Sequence, residues 1–328
     1  MFRKYFPAIS LLLISFLLLF CFYRLTQIPY LTFSDGAKFA DIGRNLASGL
    51  GYGANFVRFG SDLEMNSKGL FSAPFIPPLT PFFNAVSFKL FGVSDLSVIA
   101  TSSFFYILLV FTTYLLGKRL WGNLVGLLAA IAVAFNPNFL DYAVSGASET
   151  LFAFEIVLAA YLFILGKKRA NVFGFLVLIL MYLTRPQAII YLFGFLLLFF
   201  LLNFPIKKAL SYFSVAFVLG SAIYLLFSKQ GLFAVTQHLP GVASSDALRG
   251  GTLEAGILPI SKKVFYNLYN FYRLLPQIMS PYLWALFIIG LFKLGKDRVE
   301  NSFKIATIFM VAVTFLAAAL TIPFFRYL

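Results

Sequence analysis

Cysteine and histidine are nearly absent from this sequence of 328 residues: Cys21 is the only cysteine and His238 the only histidine. An intrachain disulfide is therefore impossible, and metal sites built from sets of cysteine and histidine ligands are excluded. The sequence also contains no P-loop, no GxGxxG pattern and no HExxH motif. Any chemistry must therefore depend mainly on carboxylates, lysines and arginines.

Acidic residues are also scarce, with 12 Asp and Glu against 26 Lys and Arg, for a net charge of +14. Half of the basic residues lie in short loops on one side of the predicted membrane segments, and the positive-inside rule makes that side the cytoplasm. These residues are Arg3, Lys4, Lys118, Arg119, Lys167, Lys168, Arg169, Lys207, Lys208, Lys293, Lys296, Arg298 and Lys304. We interpret the basic excess as a topology signal, with a cytoplasmic N-terminus, and expect no nucleic-acid partner.

Charged residues are also few, at 12% of the chain, whereas 61% of the residues are hydrophobic and the mean hydropathy is +0.90. This composition is typical of a membrane protein. A helix that crosses the hydrocarbon core needs about 20 apolar residues. The runs that approach this length are 8–25, 97–116, 123–140, 148–165, 188–203, 210–227, 280–294 and 304–322, with 172–183 as a shorter ninth. The first run lacks a small-x-small cleavage site, which argues against a signal peptide. We predict an all-α polytopic membrane protein with about nine transmembrane helices, in one domain covering 1–328.

Two long loops face the extracytoplasmic side in this topology, 26–96 and 229–278. In the first loop, Phe39, Ile42, Leu46 and Leu50 recur at helical spacing behind Ser34 and Asp35, which are candidate N-cap residues. After Pro81, the apolar positions Phe83, Val86 and Leu90 repeat the pattern. We predict two amphipathic helices that lie along the outer membrane surface.

Five of the 12 acidic residues fall in the first loop, namely Asp35, Asp41, Asp62, Glu64 and Asp95. Asp35 follows the outer end of the first span, where it can be a helix cap or a functional carboxylate. Asp41 is at the right spacing to pair with Lys38 or Arg44.

Two more carboxylates lie on the fourth predicted span. Glu149 opens this span, where an acidic residue is favoured by the helix dipole and usually faces protein or water. Glu155 lies six residues deeper, on a roughly opposite azimuth, and the sequence assigns it no role.

Arg185 and Arg326 are the cations of interest on the outer side. The run 172–183 rises only about 18 Å as a helix, so Arg185 is expected below the outer surface, next to the helix-breaking Pro186. An intramembrane arginine needs an anionic partner. That partner can be a ligand phosphate, or Glu149 or Glu155 in a structural ion pair. Arg326 has the position of an ordinary snorkelling anchor.

Several stretches, taken in order, resemble the integral-membrane glycosyltransferases of the GT-C fold, in the branch of the protein O-mannosyltransferases and aminoarabinose transferases. The first is DGAKFADIGRNLA at 35–47, followed by GYGANF at 51–56. PPLTP at 77–81 and LFG at 90–92 are similar to the family's PPLYP and FG element. AFNP at 134–137, SETLF at 148–152 and LTRP at 183–186 complete the set.

This resemblance implies a hexosyl- or pentosyltransferase that moves a sugar from a polyprenyl-phosphate carrier to an acceptor hydroxyl on the extracytoplasmic face, with inversion. Asp35 corresponds to the family's catalytic aspartate, a general base. Arg185, with Arg326 second, would stabilise the departing phosphate, and Glu149 would position the acceptor or hold Arg185. The motif residues Asp41, Tyr52 and Asn55 are further candidates for substrate binding.

The implied partners are the lipid-linked sugar donor, a protein, lipid or glycan acceptor, and membrane lipids. No cofactor is required, although Asp35 and Glu149 could share a divalent metal.

The chain departs from the family pattern at Phe75-Ile76, where many relatives carry a basic residue or histidine before PPLYP. It also stops at Arg326-Tyr327-Leu328, where relatives commonly continue into further spans, which leaves open whether the sequence is truncated. The alternative function is a transporter or lipid-linked-sugar flippase, which predicts paired repeats and broken helices in both halves. The sequence shows one interrupted pair, around Pro186, and no repeat.

Overall fold

The computed structural model describes residues 2–26, 31, 33–56, 65–71, 76–228, 264–265, 267–269, 272–273, 276, 281–292 and 295–320. The chain divides into two compact units, Met1–Arg185 and Pro186–Leu328. The first unit contains α1 (Phe2–Thr26), α2 (Ser34–Ala47), α3 (Leu79–Phe91), α4 (Asp95–Trp121), α5 (Asn123–Ala134), α6 (Pro137–Val144), α7 (Glu149–Ile164) and α8 (Lys168–Thr184). The second contains α9 (Ala188–Asn203), α10 (Ile206–Ser228), α11 (Pro281–Phe292) and α12 (Arg298–Leu320).

The long helix α4 is the centre of the first unit, and α1, α3, α5, α6 and α7 all pack against it. Ser94 begins this helix as an N-cap whose hydroxyl accepts from the backbone N–H of Ser97, satisfying an N–H group that has no partner within the helix. A buried cluster that includes Leu11, Tyr106 and Val144 joins α4 to α1 and α6. Burial of these apolar side chains stabilises the unit.

The predicted span 123–140 is broken in the structure. α5 and α6 meet at a bend of 58°, because Pro137 cannot continue the hydrogen-bonding pattern of α5. Asn136 caps the new helix, and its side chain accepts from the backbone N–H of Asn138 at 2.9 Å. The break would leave the carbonyl of Ala134 unsatisfied, and the hydroxyl of Tyr106 donates to it at 2.6 Å.

We expect Tyr106→Phe to lower the free energy of unfolding by about 1 kcal/mol, since a buried carbonyl loses its donor while the ring packing is kept. Thermal unfolding in detergent would measure the change. Tyr182→Phe is the control because Tyr182 is 43% exposed. Equal melting of both variants and wild type would show that the Tyr106 hydroxyl does not stabilise the helix break.

The count of about nine transmembrane helices is not supported. In the described part of the chain, three helical segments are long and apolar enough to cross a membrane, Ile9–Thr26, Asp95–Trp121 and Arg298–Ala317, and the bent α5–α6 pair could make a fourth. α7 and α9 have 16 residues each, which is about 24 Å of helix. Their bounds agree with the apolar runs 148–165 and 188–203 to within one residue, but this length is less than the core thickness of about 30 Å.

The two helices predicted in the first loop are present as α2 and α3. Phe39 and Ile42 of α2 are buried in a cluster with Ala54 and Ile76, as the periodicity predicts, whereas Leu50 lies beyond the helix and is 40% exposed. α3 has the opposite pattern to a soluble amphipathic helix. Apart from Lys89 in its last turn, its exposed side chains are apolar (Phe82, Val86, Leu90 and Phe91), and polar Thr80, Asn84 and Ser87 are buried. An apolar outer face of this kind suits contact with lipid.

In the second unit, α9 packs against α10 and α12. A buried cluster of Leu197, Leu201, Ala209 and Phe213 joins α9 to α10. Arg298, at the start of α12, donates to the carbonyl of Leu201 at 2.7 Å and to that of Phe204. The arginine therefore satisfies carbonyl groups at the C-terminal end of α9. The predicted loop 229–278 lies largely outside the described residues.

Candidate active site

The candidate residues of the first unit lie at one end of its helices. α7 and α8 pack as a hairpin, so Glu149 at the start of α7 and Arg185 after α8 are at the same end. The basic turn 167–169 joins the other ends of these two helices. The start of α4 lies at the candidate end as well, because the side chain of Val98 adjoins Gly146. The carboxylates and Arg185 are therefore separated from the basic turn by the length of the helices.

Asp35 lies in the first turn of α2, and the residue at the N-cap position is Phe33. The expectation that Ser34 or Asp35 caps the helix is therefore wrong, since the helix begins at Ser34 and no side-chain cap bond forms. The carboxylate of Asp35 pairs with the amine of Lys38 at 3.1 Å, and the side chains are 28% and 35% exposed. This exposure leaves the carboxylate accessible to a substrate.

Two glycines bring α2 against the turn that precedes α7. A Cβ on Gly36 would collide with the carbonyl oxygen of Ser145, so only glycine allows this approach. Gly146 has a φ of +72°, a left-handed conformation that glycine adopts without strain. The first turn of α2, which carries Asp35, is therefore packed against a turn three residues before Glu149.

Glu149 and Arg185 form an ion pair, with 2.8 Å between Nη1 of the arginine and Oε1 of the glutamate. Both side chains are nearly buried, at 12% exposure for Arg185 and 9% for Glu149. The guanidinium also lies over the ring of Phe152, 5.9 Å from its centroid, a cation–π contact. The sequence leaves Glu149 and Glu155 open as ion-pair partners of Arg185. In the structure the partner is Glu149.

The remaining N–H groups of its guanidinium have no partner in the part of the chain that the structure describes. A guanidinium carries five N–H donors in a planar fork that matches the oxygens of a phosphate. The site therefore holds an oriented cation that can still bind an anion.

Asp41 and Asn55 are together in a different network. Asp41 accepts from Arg44 at 2.6 Å, as the spacing predicts, and from the backbone N–H and side-chain amide of Asn55 at 2.7 and 2.9 Å. Asn45 extends the network by donating to the carbonyl of Gly53 at 2.8 Å. These bonds attach the segment 51–56 to α2, and substrate binding by Asp41 and Asn55 stays a prediction.

We expect Asp41→Ala to loosen this segment, because three donors lose a charged acceptor. The local free energy of opening should fall by about 1–3 kcal/mol. Hydrogen exchange of a peptide covering 48–56 measures the loss of protection. Arg44→Ala is the matched control, since it removes the half-exposed partner and leaves the bonds to Asn55. Unchanged exchange in Asp41→Ala would contradict a structural role.

Tyr52 has a third environment. Its hydroxyl donates to the carbonyl of Ile76, at the start of the segment that leads into α3. Burial raises the pKa of this phenol to about 12, so the group stays neutral and keeps its proton. The contact ties the segment 51–56 to the beginning of α3, and substrate binding by Tyr52 stays a prediction. Arg326 and His238 lie outside the described residues.

A divalent metal does not suit the two carboxylates proposed to share one. Asp35 faces Lys38 and Glu149 faces Arg185, so each already has a cation whose charge would repel a metal ion. Across the described residues, no group of three or more His, Cys, Asp or Glu side chains is placed to hold a metal.

Sequence reasoning missed three contributors to this site. The close approach of Gly36 to the turn at Ser145 and Gly146 has no signature beyond the small residues themselves. Phe152 was seen only as part of a motif, although its position three residues after Glu149 places both on one face of α7. Thr184 belongs to the LTRP motif, but the sequence assigns no role to its hydroxyl, which contacts Glu155.

Residues 76–233 match the family model described as dolichyl-phosphate-mannose-protein mannosyltransferase. The match confirms the resemblance to the GT-C glycosyltransferases over that range, and with the apolar helices it indicates a membrane-bound glycosyltransferase. The comparisons with curated proteins and with solved structures gave no match. The matched range includes Glu149 and Arg185 and begins after Asp35.

Proposed function

We propose that this protein transfers a sugar from a polyprenyl-phosphate carrier to an acceptor hydroxyl, with inversion at the anomeric carbon. The observation that carries the proposal is the nearly buried Arg185, held by Glu149 and Phe152 with donors left for a phosphate. The family match supports a lipid-linked sugar as donor. It weighs against the transporter or flippase alternative.

In the proposed reaction, the carboxylate of Asp35 accepts the proton of the acceptor hydroxyl. The hydroxyl oxygen attacks the anomeric carbon from the face opposite the leaving group, and the bond from this carbon to the phosphate oxygen breaks. The electron pair of that bond leaves with the polyprenyl phosphate. Arg185 stabilises the charge that develops on the phosphate, the kind of contribution made by groups fixed before the reaction. Glu149 holds the guanidinium in place.

The active site lies on the extracytoplasmic face in this proposal. The basic residues at the ends of the helices far from the candidate site, Lys118, Arg119 and the turn 167–169, mark the cytoplasmic side by the positive-inside rule. The N-terminus is then cytoplasmic, in a multi-pass cell-membrane protein. The exposed apolar face of α3 supports a position of this helix at the outer membrane surface, near the headgroup of the carrier.

The test is transfer from a panel of radiolabelled polyprenyl-phosphate sugars by the purified chain in proteoliposomes, with native lipid extract and a hydroxyl-bearing peptide as acceptors. Transfer from one donor, with product of inverted anomeric configuration, is the expected result. Retained configuration would contradict the single displacement at the anomeric carbon. Export of an unreacted lipid-linked sugar across the vesicle membrane, without transfer, would favour the flippase.

A further inference from the structure

Glu155 is a buried carboxyl group that the proposed reaction does not use. Its side chain is 3% exposed, and Oε1 lies 3.0 Å from the hydroxyl of Thr184. Oε2 is buried without a hydrogen-bond partner. Thr184 is the last residue of α8 and directly precedes Arg185. The carboxyl group therefore contacts the turn that carries the arginine of the candidate site.

α7 holds this turn at three points along one face. Glu149 contacts Arg185 through the ion pair, Phe152 through its ring, and Glu155 contacts Thr184. The residues are spaced by three, which advances each by about 60° around the helix. By this spacing Glu149 and Glu155 are about 120° apart around α7 rather than on roughly opposite azimuths, and both side chains reach the turn at Thr184 and Arg185.

The hydrogen bonds around Thr184 favour a neutral Glu155. The hydroxyl has a single proton, and two acceptors lie 3.0 Å away, the carbonyl of Leu180 and Oε1 of Glu155. A threonine in a helix commonly donates to the carbonyl four residues earlier, and a carbonyl oxygen can only accept. If Thr184 donates to Leu180, its contact with Glu155 requires the proton of a carboxylic acid.

The charges around Glu155 favour the same state. From α8, Arg185 is engaged with Glu149, and Lys168 and Arg169 lie at the opposite end of that helix. From α4, the charged residues are at its two ends, and α6 contributes only the exposed Asp141. No cation of the described chain forms an ion pair with Glu155. An ionised carboxylate buried without a cation costs several kcal/mol or more.

We propose that Glu155 is a positioning residue, a neutral carboxylic acid that donates its proton to Thr184 and thereby fixes the turn that aims Arg185 at the carrier phosphate. The role of Arg185 in this statement rests on the proposed function. A neutral acid suits the task because a second carboxylate beside Arg185 would compete with the phosphate for the guanidinium. Glu149 alone then balances the charge of Arg185 before the carrier binds.

The protonation state is tested without any transfer reaction. Infrared spectra of the full chain in lipid nanodiscs, wild type minus Glu155→Gln, should contain the C=O stretching band of a protonated carboxylic acid at neutral pH. A difference spectrum with only carboxylate bands would overturn the proposal. This measurement does not depend on the donor sugar, so failure of this inference and failure of the proposed function can be told apart.

The positioning role is tested by kinetics with the donor identified in the transfer assay. Glu155→Gln keeps a neutral donor for Thr184, and we expect its kcat and pH profile to match those of wild type. Glu155→Leu and Thr184→Val remove the two ends of the bond, and each should raise the KM for the donor about tenfold, equivalent to about 1.4 kcal/mol. An unchanged KM in Glu155→Leu and Thr184→Val, or loss of activity in Glu155→Gln, would overturn the proposal.

Discussion

Replacing Asp35 by asparagine should lower kcat for sugar transfer by a factor of about 10² to 10⁴, the usual contribution of a general base. The asparagine side chain has nearly the same shape, so α2 should keep its packing against the turn at Ser145 and Gly146. An amide cannot accept the proton of the acceptor hydroxyl. The KM for the lipid-linked donor should change little, because the carboxylate acts on the acceptor. Transfer in proteoliposomes at matched protein content measures both constants.

Lys38→Met is the matched control for this variant. Both substitutions break the ion pair between Asp35 and Lys38, and a partly exposed pair of this kind contributes about 1 kcal/mol or less to stability. Only Asp35→Asn removes the proton acceptor. Equal loss of transfer in the two variants would assign Asp35 a structural role in α2. Full activity of Asp35→Asn would move the search for the base to Glu149.

The local elements of the fold were predictable from the sequence where a short-range pattern determines them. The helical spacing of Phe39 and Ile42 predicted α2 and the face that it buries. Spacing also left Lys38 and Arg44 as partners of Asp41, and the structure has Arg44, with Lys38 paired to Asp35 instead.

The membrane spans were less predictable, because the ends of an apolar run in the sequence do not always coincide with the ends of a helix. The run 172–183 suggested a short helix before Arg185, yet α8 is 17 residues long and begins at Lys168. Polar and basic residues extend a helix beyond its apolar run. Conversely, Pro137 divides a run that hydropathy treats as continuous.

The site itself was predictable as a set of residues but not as an arrangement. For Arg185 the sequence offered two acidic partners, Glu149 and Glu155, and their distance along the chain favours neither. The choice depends on how α7 and α8 pack, since both carboxylates reach the same turn. The glycine contacts that place α2 beside the turn at Ser145 and Gly146 are tertiary as well, and no spacing rule predicts them.

Replacing Arg185 by glutamine should lower kcat by a factor of about 10² to 10³, the cost of losing one preorganised group that stabilises developing charge. The KM for the donor should rise too, because the phosphate is present in the ground state. Arg185→Lys keeps the charge but not the planar fork, so it should recover only part of the activity. Added polyprenyl phosphate, the leaving product, should inhibit wild type most strongly, Arg185→Lys less and Arg185→Gln least.

Glu149→Gln distinguishes phosphate binding from a purely structural ion pair. If Arg185 served only to pair with Glu149, both single variants and the double variant would lose the same activity, because each breaks one interaction. If the arginine binds the phosphate, Glu149→Gln should cost less than Arg185→Gln by a factor of about 10 or more, since an unpaired guanidinium still reaches the ligand. The stacking of Arg185 on Phe152 would keep it near its position. Equal losses in all three variants would therefore exclude Arg185 as the group that receives the leaving phosphate.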